Sequence, residues 1–365
     1  MLRKKLRIGL DYDDVLAYCN QYALEIINKD RGTNYTINDI KGWNQEDDTL
    51  KDRLKLFRDP DFVLKQPLMP GAKDFIKKLS QKTEVFITSA VEPECMSARA
   101  MRIIEDFPSI KPENIILGAS KGIYDLDMIL DDGQHNFLNS QATYPVLMRQ
   151  PWNQSLSGVL SVNNYDDFLH LVDLIANSYN EEPDFMDGGV VCLVGPSGSG
   201  KTAIMQELIK DSFFVKPITT TTRTKRDDET DDAYRFITKE EFISEKDAGC
   251  FLETSVYGNH FYGTPAEQID GIIEQGKIAV LPIDICGAIT IKNIYRSKSL
   301  LFFVDRKRSD LLLSLLERNI SNEEKMQRII SLDDEYKNEI LCDEVVRNDS
   351  TIESAARKVR RVIGL

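Results

Sequence analysis

The run "VVCLVGPSGSGKTAIMQELIKD", residues 190–211, restricts the fold more than any other part of the chain. An apolar run of strand length meets a glycine-rich loop, and the loop opens directly into an amphipathic helical pattern. That order is a β-loop-α unit, and such units build parallel sheets covered by helices. The loop matches G-x-x-x-x-G-K-[ST]. Gly195, Gly198 and Gly200 free the backbone so that its N–H groups, with those of Ser197 and Ser199, converge on phosphate oxygens. The helix N-terminus adds partial positive charge. Lys201 is placed to reach the β- and γ-phosphates and the Thr202 hydroxyl to ligate Mg²⁺, which makes ATP the expected phosphoryl donor. A glycine-rich turn without a ligand would have no use for Lys201 and Thr202.

A second α/β pattern precedes this one. "LRIGL", "EVFITSA", "NIILGAS", "DMILDD" and "TYPVLM" are strand-like runs, with helical patterns such as "AKDFIKKLSQ" and "SARAMRIIEDF" between them. At 365 residues the chain exceeds a single typical core. The acidic "NEEPDFMDGG", with Pro183, Gly188 and Gly189, is the best linker. We therefore expect a first domain over residues 1–180, a linker over 181–189 and a second domain over 190–365. A net charge of -13 argues against a nucleic-acid backbone as partner, but not against single nucleotides held by a few local cations. Six scattered cysteines with no CxxC pair read as buried thiols of a reducing compartment. No apolar run reaches the ~20 residues needed to span a membrane, so a cytoplasmic protein is expected.

In the first half, "LRIGLDYDDV" crowds Asp11, Asp13 and Asp14 at the end of an apolar run. A polar turn would explain that alone. Other strand ends match it, however: Thr88 and Ser89 close "VFITSA", Lys121 follows "GAS", and Asp131 and Asp132 close "DMILDD". Carboxylates, hydroxyls and a lysine at the C-terminal ends of parallel strands converge at one crevice. This set and order resemble the haloacid dehalogenase-like phosphatases, over roughly residues 6–150. "PLMPGAKDFIKKL" followed by "EVFITSA" is similar to the 5'(3')-deoxyribonucleotidase branch. The resemblance implies a Rossmann-like domain in which Asp11 is the nucleophile that forms an aspartyl phosphate. Asp13 would protonate the leaving oxygen and then activate water. Thr88, Ser89 and Lys121 would hold the phosphate. Mg²⁺ would be held by Asp11, the Asp13 backbone carbonyl, and Asp131 or Asp132. Asp14 stands where that family often has glycine and is assigned no chemistry. Trp43, Phe57 and Phe62 fall where the branch places a cap over the base, although core packing explains each as well. His135, His170 and His260 lack ligand spacing and read as structural or surface residues.

In the second half, "ITTTTRTKR", "AYRF" and "FLETSVYGNHFYGT" follow the glycine-rich loop. Arg223 and Arg226, three apart, could clamp a second phosphate. The order resembles the guanylate kinase family from about Val190 to the end. The resemblance implies that Arg223, Arg226, Tyr234 and Tyr262 hold the acceptor phosphate. Thr219 and Glu253 would read the guanine edge, with Thr264 and Asp284 completing the GMP site. Arg318 and Arg328, in the helical stretch "LLERNISNEEKMQRII", would neutralise the transferred group, and Asn348 would lie near the adenine of ATP. Three departures stand out: Pro282 replaces an acid in "VLPIDICG", "DDETDD" is a short segment, and "VDRKRSD" replaces a proline-bearing turn.

The expected fold class is α/β in two domains, a haloacid dehalogenase-type phosphatase domain and a P-loop nucleoside monophosphate kinase domain. Each should have a parallel sheet covered by helices. The expected function is bifunctional: Mg²⁺-dependent hydrolysis of nucleoside monophosphates in the first half, and ATP-dependent phosphorylation of GMP or dGMP in the second. The alternative keeps one half catalytic and makes the other a nucleotide-sensing or protein-interaction module. Small-molecule nucleotides are the expected partners, with no nucleic acid and no membrane, and the sequence leaves the oligomeric state open.

Overall fold

The computed structural model describes residues 5–41, 47–118, 121, 126–156, 158–176, 183–225, 234–257, 260–317 and 321–365, apart from the side chains of 255–257 and 323–324. The chain divides into two compact units. One comprises Met1–Gln154 and Leu160–Val172, the other Ser155–Val159 and Asp173–Leu365.

The first unit is built on β1 (Arg7–Asp11), β2 (Glu84–Ser89), β3 (Ile115–Leu117), β4 (Met128–Asp131), β5 (Tyr144–Met148) and β6 (Ser161–Val162). They form one parallel sheet in the order β3-β2-β1-β4-β5-β6. Helices at Ala72–Lys82, Met96–Asp106 and Tyr165–Ala176 connect or follow the strands. Ile8, Leu10, Ile87, Leu130 and Val146 are fully buried, as expected of strands covered on both faces. Each such side chain contributes roughly 1.5–3 kcal/mol relative to exposure. Because β2 and β4 flank β1, the chain leaves β1 in opposite directions, and a crevice opens at the C-terminal strand ends.

The second unit has two sheets. A parallel one, ordered β15-β14-β7-β13-β8, comprises β7 (Gly189–Val194), β8 (Phe214–Val215), β13 (Ile278–Pro282), β14 (Ser299–Asp305) and β15 (Glu344–Arg347). Its core gathers Val191, Leu193, Val280, Phe302 and Val304 with Ile204, Leu208, Ala356 and Val359 of the covering helices. The other sheet contains β9 (Thr220–Thr221), β10 (Arg235–Phe236), β11 (Phe251–Tyr257) and β12 (His260–Pro265), in the order β10-β9-β12-β11. Here β12 runs antiparallel to both β9 and β11. The sequence reading anticipated only the parallel sheet; "FLETSVYGNHFYGT" folds back on itself as β11 and β12, and this hairpin carries Glu253 and Tyr262.

Other expectations need correction. The stretch "LLERNISNEEKMQRII" is two helices, Arg308–Leu316 and Asn322–Lys337. Ser321 and Asn322 compete locally for backbone bonds, which favours a helix start over a helix interior; the Ser321 carbonyl accepts the first bond, from Lys325 N at 3.0 Å. All six cysteines are free, but only Cys19, Cys95 and Cys192 are buried, and Cys250 is exposed. Phe62 is core, packed with Val63, Cys95 and Ala98, and Phe57 packs against that cluster, while Trp43 lies outside the described residues. Among the described residues no helix is long and apolar enough to cross a membrane.

Candidate active sites

The crevice of the first unit is assembled by strand register. β1 ends on Asp11, paired with Thr88 of β2, and β4 ends on Asp131. Asp11, Asp131 and Asp132 present carboxylate oxygens within 4.8 Å of one another, and all three are buried. Lys121 Nζ stands between two of them, 2.6 Å from Asp11 Oδ2 and 2.8 Å from Asp131 Oδ2. The remaining oxygens are aimed by neighbours. Asp131 Oδ1 accepts from Gly133 N at 2.8 Å and Asn136 Nδ2 at 3.1 Å, and Asp132 Oδ2 accepts from Trp152 Nε1 at 2.9 Å.

Three buried carboxylates thus share one ammonium. Burial pushes the Asp11 carboxyl up to about 8; Lys121 opposes the rise and the charges of Asp131 and Asp13 add to it. Burial also raises Asp132 well above the usual carboxylate range. For Lys121, burial favours the neutral amine, but Asp11 and Asp131 outweigh it and the ammonium is held more firmly than usual. An all-oxygen set with excess negative charge fits a hard divalent cation such as Mg²⁺.

Asp13 is held apart from this cluster. Arg99 Nη2 lies 2.7 and 2.8 Å from its two oxygens, Gln66 Nε2 donates at 2.8 Å, and Ser89 Oγ lies at 3.4 Å. Thr88 Oγ1 turns to the Leu10 carbonyl at 3.3 Å. Asp14 takes φ 51, the left-handed conformation that glycine adopts most easily. Its carboxylate accepts from Cys19 N, Asn20 N and Asn20 Nδ2, and so anchors the start of the helix Asn20–Arg31. The polar-turn reading therefore holds for one of the three aspartates.

Sequence reasoning missed Arg99. Its side chain is 2% exposed and sits on the buried stripe Ala98, Arg99, Ile103, Asp106 of the helix Met96–Asp106. A lone arginine on an apolar stripe demands a buried carboxylate partner, and that was the available signal.

In the second unit β7 feeds the loop 195–200 into the helix Lys201–Leu208. Gly195, Gly198 and Gly200 take φ 138, 91 and 102, which side-chain-bearing residues rarely adopt. Lys201 Nζ donates to the loop's own Gly195 and Pro196 carbonyls, at 2.5 and 2.9 Å, and Thr202 is exposed. Arg328 donates to Ser197 Oγ, and Asn348 Nδ2 donates to the Ser199 carbonyl at 2.8 Å. Glu335, one of the residues sequence reasoning missed, lies seven residues beyond Arg328 on the same helix and accepts from Ser331 Oγ at 2.9 Å. Burial pushes its carboxyl up to about 7, against the lowering by Lys201, Ser331, the Ser197 N–H and Arg328.

The expected acceptor residues lie on the hairpin sheet and beside it. Tyr234 and Tyr262 meet edge to face at 6.2 Å, and the Arg223 guanidinium stands 5.0 Å from the Tyr234 ring centre. Thr219 is half-buried and its carbonyl accepts from Arg235 N. Glu253 on β11 faces Thr264 on β12, whose hydroxyl donates to Glu253 Oε1 at 2.6 Å. Burial, then the Asp284 charge, pushes Glu253 up to about 7 despite the Thr264 bonds. Asp284 corrects the expectation in part, because its Oδ1 accepts from Gly287 N at 2.9 Å and caps the helix Ile285–Tyr295. Arg226 and Arg318 lie outside the described residues.

Two α/β units, one with an acidic crevice at its strand ends and one with a glycine-rich phosphate cradle, define a two-module protein of phosphoryl-transfer type. The guanylate kinase family model matches residues 188–364. Guanylate kinase of Aster yellows witches'-broom phytoplasma is 34% identical over 175 residues, 47% of this chain and 83% of that protein. Guanylate kinase of Salinibacter ruber is 35% identical over 187 residues, 48% of this chain and 98% of that protein. The chain belongs to the guanylate kinase family through this half. Residues 4–179 match the family model described as "5' nucleotidase, deoxy (Pyrimidine), cytosolic type C protein". The solved HAD-hydrolase YfnB of Bacillus subtilis aligns at 16% identity and a TM-score of 0.32, covering 47% of this chain and all of that one.

Proposed function

We propose that the chain is a bifunctional nucleotide enzyme, hydrolysing nucleoside or deoxynucleoside monophosphates in its first unit and phosphorylating GMP or dGMP from ATP in its second. The hydrolase reading is carried by Lys121 bridging Asp11 and Asp131 beside Asp132 at the strand ends. Asp11, Asp131 and Asp132 would hold Mg²⁺, which when bound offsets the negative charge that otherwise repels a phosphate dianion. An Asp11 carboxylate oxygen bonds to phosphorus while the ester P–O bond breaks. Asp13 gives its proton to the departing nucleoside oxygen. In the second step water attacks the aspartyl phosphate, Asp13 takes the water proton, and Asp11 is freed. The acceptor-only contacts Asp13 makes with Arg99 and Gln66 suit this second step. Thr88, Ser89 and Lys121 orient the phosphate.

In the second unit the phosphate loop, Gly195 to Thr202, receives ATP. Arg223, Tyr234 and Tyr262 hold the acceptor phosphate, together with Arg226. Glu253 accepts two N–H groups of guanine, a pairing adenine cannot supply. ATP must draw Lys201 off the Gly195 and Pro196 carbonyls and Arg328 off Ser197, so both cations move from the loop onto the transferred group. Thr202 offers a hydroxyl to the metal and Asn348 stands by the base of the donor. Because the kinase would make GDP from a substrate class that the hydrolase consumes, the two sites should differ in base preference. The intact loop favours a working kinase over a sensing module. A panel of ribo- and deoxyribonucleoside monophosphates, assayed for phosphate release with Mg²⁺ and for ADP formation with ATP, tests both halves at once. Absence of either product across the panel would leave that half without the proposed activity.

A further inference from the structure

The phosphate loop depends on one peptide unit, between Gly198 and Ser199. Its N–H closes a turn onto the Pro196 carbonyl at 3.1 Å. Its C=O, on the other side, accepts from Arg306 Nη1 at 2.8 Å. Arg306 follows directly after β14, which pairs with β7, and it is half-buried. The same Nη1 also lies 3.1 Å from Ser314 Oγ on the helix Arg308–Leu316. The Arg306 backbone is itself fixed, since its carbonyl accepts from Tyr336 Oη at 2.5 Å. On its far side Arg306 lines a cleft of about 500 Å³ with Tyr336, Arg347 and Asp349. The Pro196 carbonyl that receives the Ser199 N–H is also one of the two carbonyls bound by Lys201.

We propose that Arg306 is a positioning residue of the kinase site, holding the Gly198–Ser199 peptide in the orientation that keeps the phosphate loop and Lys201 set for ATP. Gly198 has φ 91 and no side chain to restrain it, so nothing intrinsic to that residue prevents its peptide from turning over. A rotated unit would break the Pro196 turn and present a carbonyl oxygen to the incoming phosphates. A guanidinium suits the task because it keeps its charge and holds a fixed fork toward both Gly198 and Ser314. The loop's N–H groups and Lys201 contact phosphate, whereas Arg306 acts through them. The effect should therefore fall on the donor and leave the acceptor untouched.

This inference rests on the kinase reading of the loop, and the wild-type enzyme tests that reading separately. If wild type neither binds ATP nor makes ADP with GMP, the kinase reading fails. Given an active wild type, Arg306→Ala should raise KM for ATP and the Kd for ADP by about ten- to a hundredfold, the loss expected for one charge-assisted hydrogen bond. KM for GMP should change less than threefold. Arg306→Lys should recover part of the ATP affinity and Arg306→Met none. Nucleotidase turnover and the melting profile of each variant report folding, since a purely architectural role would lower Tm and both substrates' constants together. Unchanged ATP and ADP constants in Arg306→Ala would overturn the proposal. So would equal losses for ATP and GMP, or a Lys variant no better than Met.

Discussion

Lys121→Met removes the one ammonium among Asp11, Asp131 and Asp132 while nearly preserving side-chain volume. The pairs it breaks are short, 2.6 and 2.8 Å, and the side chains involved are 2%, 7% and 1% exposed, so water cannot replace the lost partner. Removing one member of a buried ion pair costs about 3–5 kcal/mol, and here two carboxylates lose the same partner. For a unit of this size each kcal/mol moves Tm by about 2–4 °C, so a loss of about 4 kcal/mol lowers the melting of the first unit by roughly 8–16 °C without metal. Mg²⁺ should then raise Tm more in the variant than in wild type, because the divalent ion supplies charge that the lysine no longer does. Acid should help too. The folded Asp11 carboxyl is held near 8 against an ordinary 3.8, so the folded state keeps a proton that the unfolded chain releases. Metal-free stability therefore declines as pH rises through that window and returns as pH falls. The assay is calorimetry of the full chain at several pH values, with EDTA or Mg²⁺. A variant that melts within 2 °C of wild type in EDTA at pH 8, with no added response to Mg²⁺, would refute the charge argument, since the expected shift is about 8 °C or more.

Asp11→Asn keeps the shape of the crevice but removes the nucleophile, so phosphate release should fall by several orders of magnitude while ADP formation persists. Lys201→Ala should give the opposite pattern, abolishing ATP-dependent phosphorylation of GMP and sparing phosphate release; GDP made at the wild-type rate would contradict the loop's assignment. Glu253 must be ionised to accept from guanine and is held near 7 by burial, so KM for GMP should fall as pH rises through about 7. Glu253→Gln should flatten that profile and cut the preference for GMP over AMP by at least about tenfold, since each lost charged-group bond is worth ~1.5–3 kcal/mol. Measuring kcat/KM for the four common monophosphates across pH 6–9 checks both outcomes.

Local chemistry was legible in the sequence. β1, β2, β4 and β5 coincide with apolar runs, and the strand ends carry Asp11, Thr88 and Asp131 because a parallel sheet aligns C-terminal ends by construction. The phosphate loop is contiguous, so its glycines and Lys201 could be read from one string. Partners brought together by the tertiary fold could not. Arg99 reaches Asp13 across 86 residues and Arg306 reaches Gly198 across 108, and neither spacing leaves a periodic trace. The antiparallel hairpin sheet was missed because only two-residue stretches of β9 and β10 complete it, too short to show alternation. Asp284 was read for its chemistry, although its place just before a helix also identified it as a cap.

Both parallel sheets place their earliest-made strand at the centre. β1 cannot find its neighbours until Glu84–Ser89 and Met128–Asp131 have been synthesised, and β7 waits likewise for Ile278–Pro282 and Ser299–Asp305. Each of these strands leads into a cluster proposed for chemistry, Asp11 in one case and the phosphate loop in the other. On the ribosome, therefore, the segments bearing Asp11 and Lys201 emerge first and become ordered late. Until then they are apolar runs with unpaired backbone, held by long-range contacts that close slowly. The first unit can complete its sheet while the second is still being translated, so its exposed interval is the shorter relative to chain release. Premature termination before Ser299 would leave β7 without β14 on one flank, and the phosphate loop without Arg306 or Asn348, making such a fragment a target for aggregation or proteolysis even though its motif is complete.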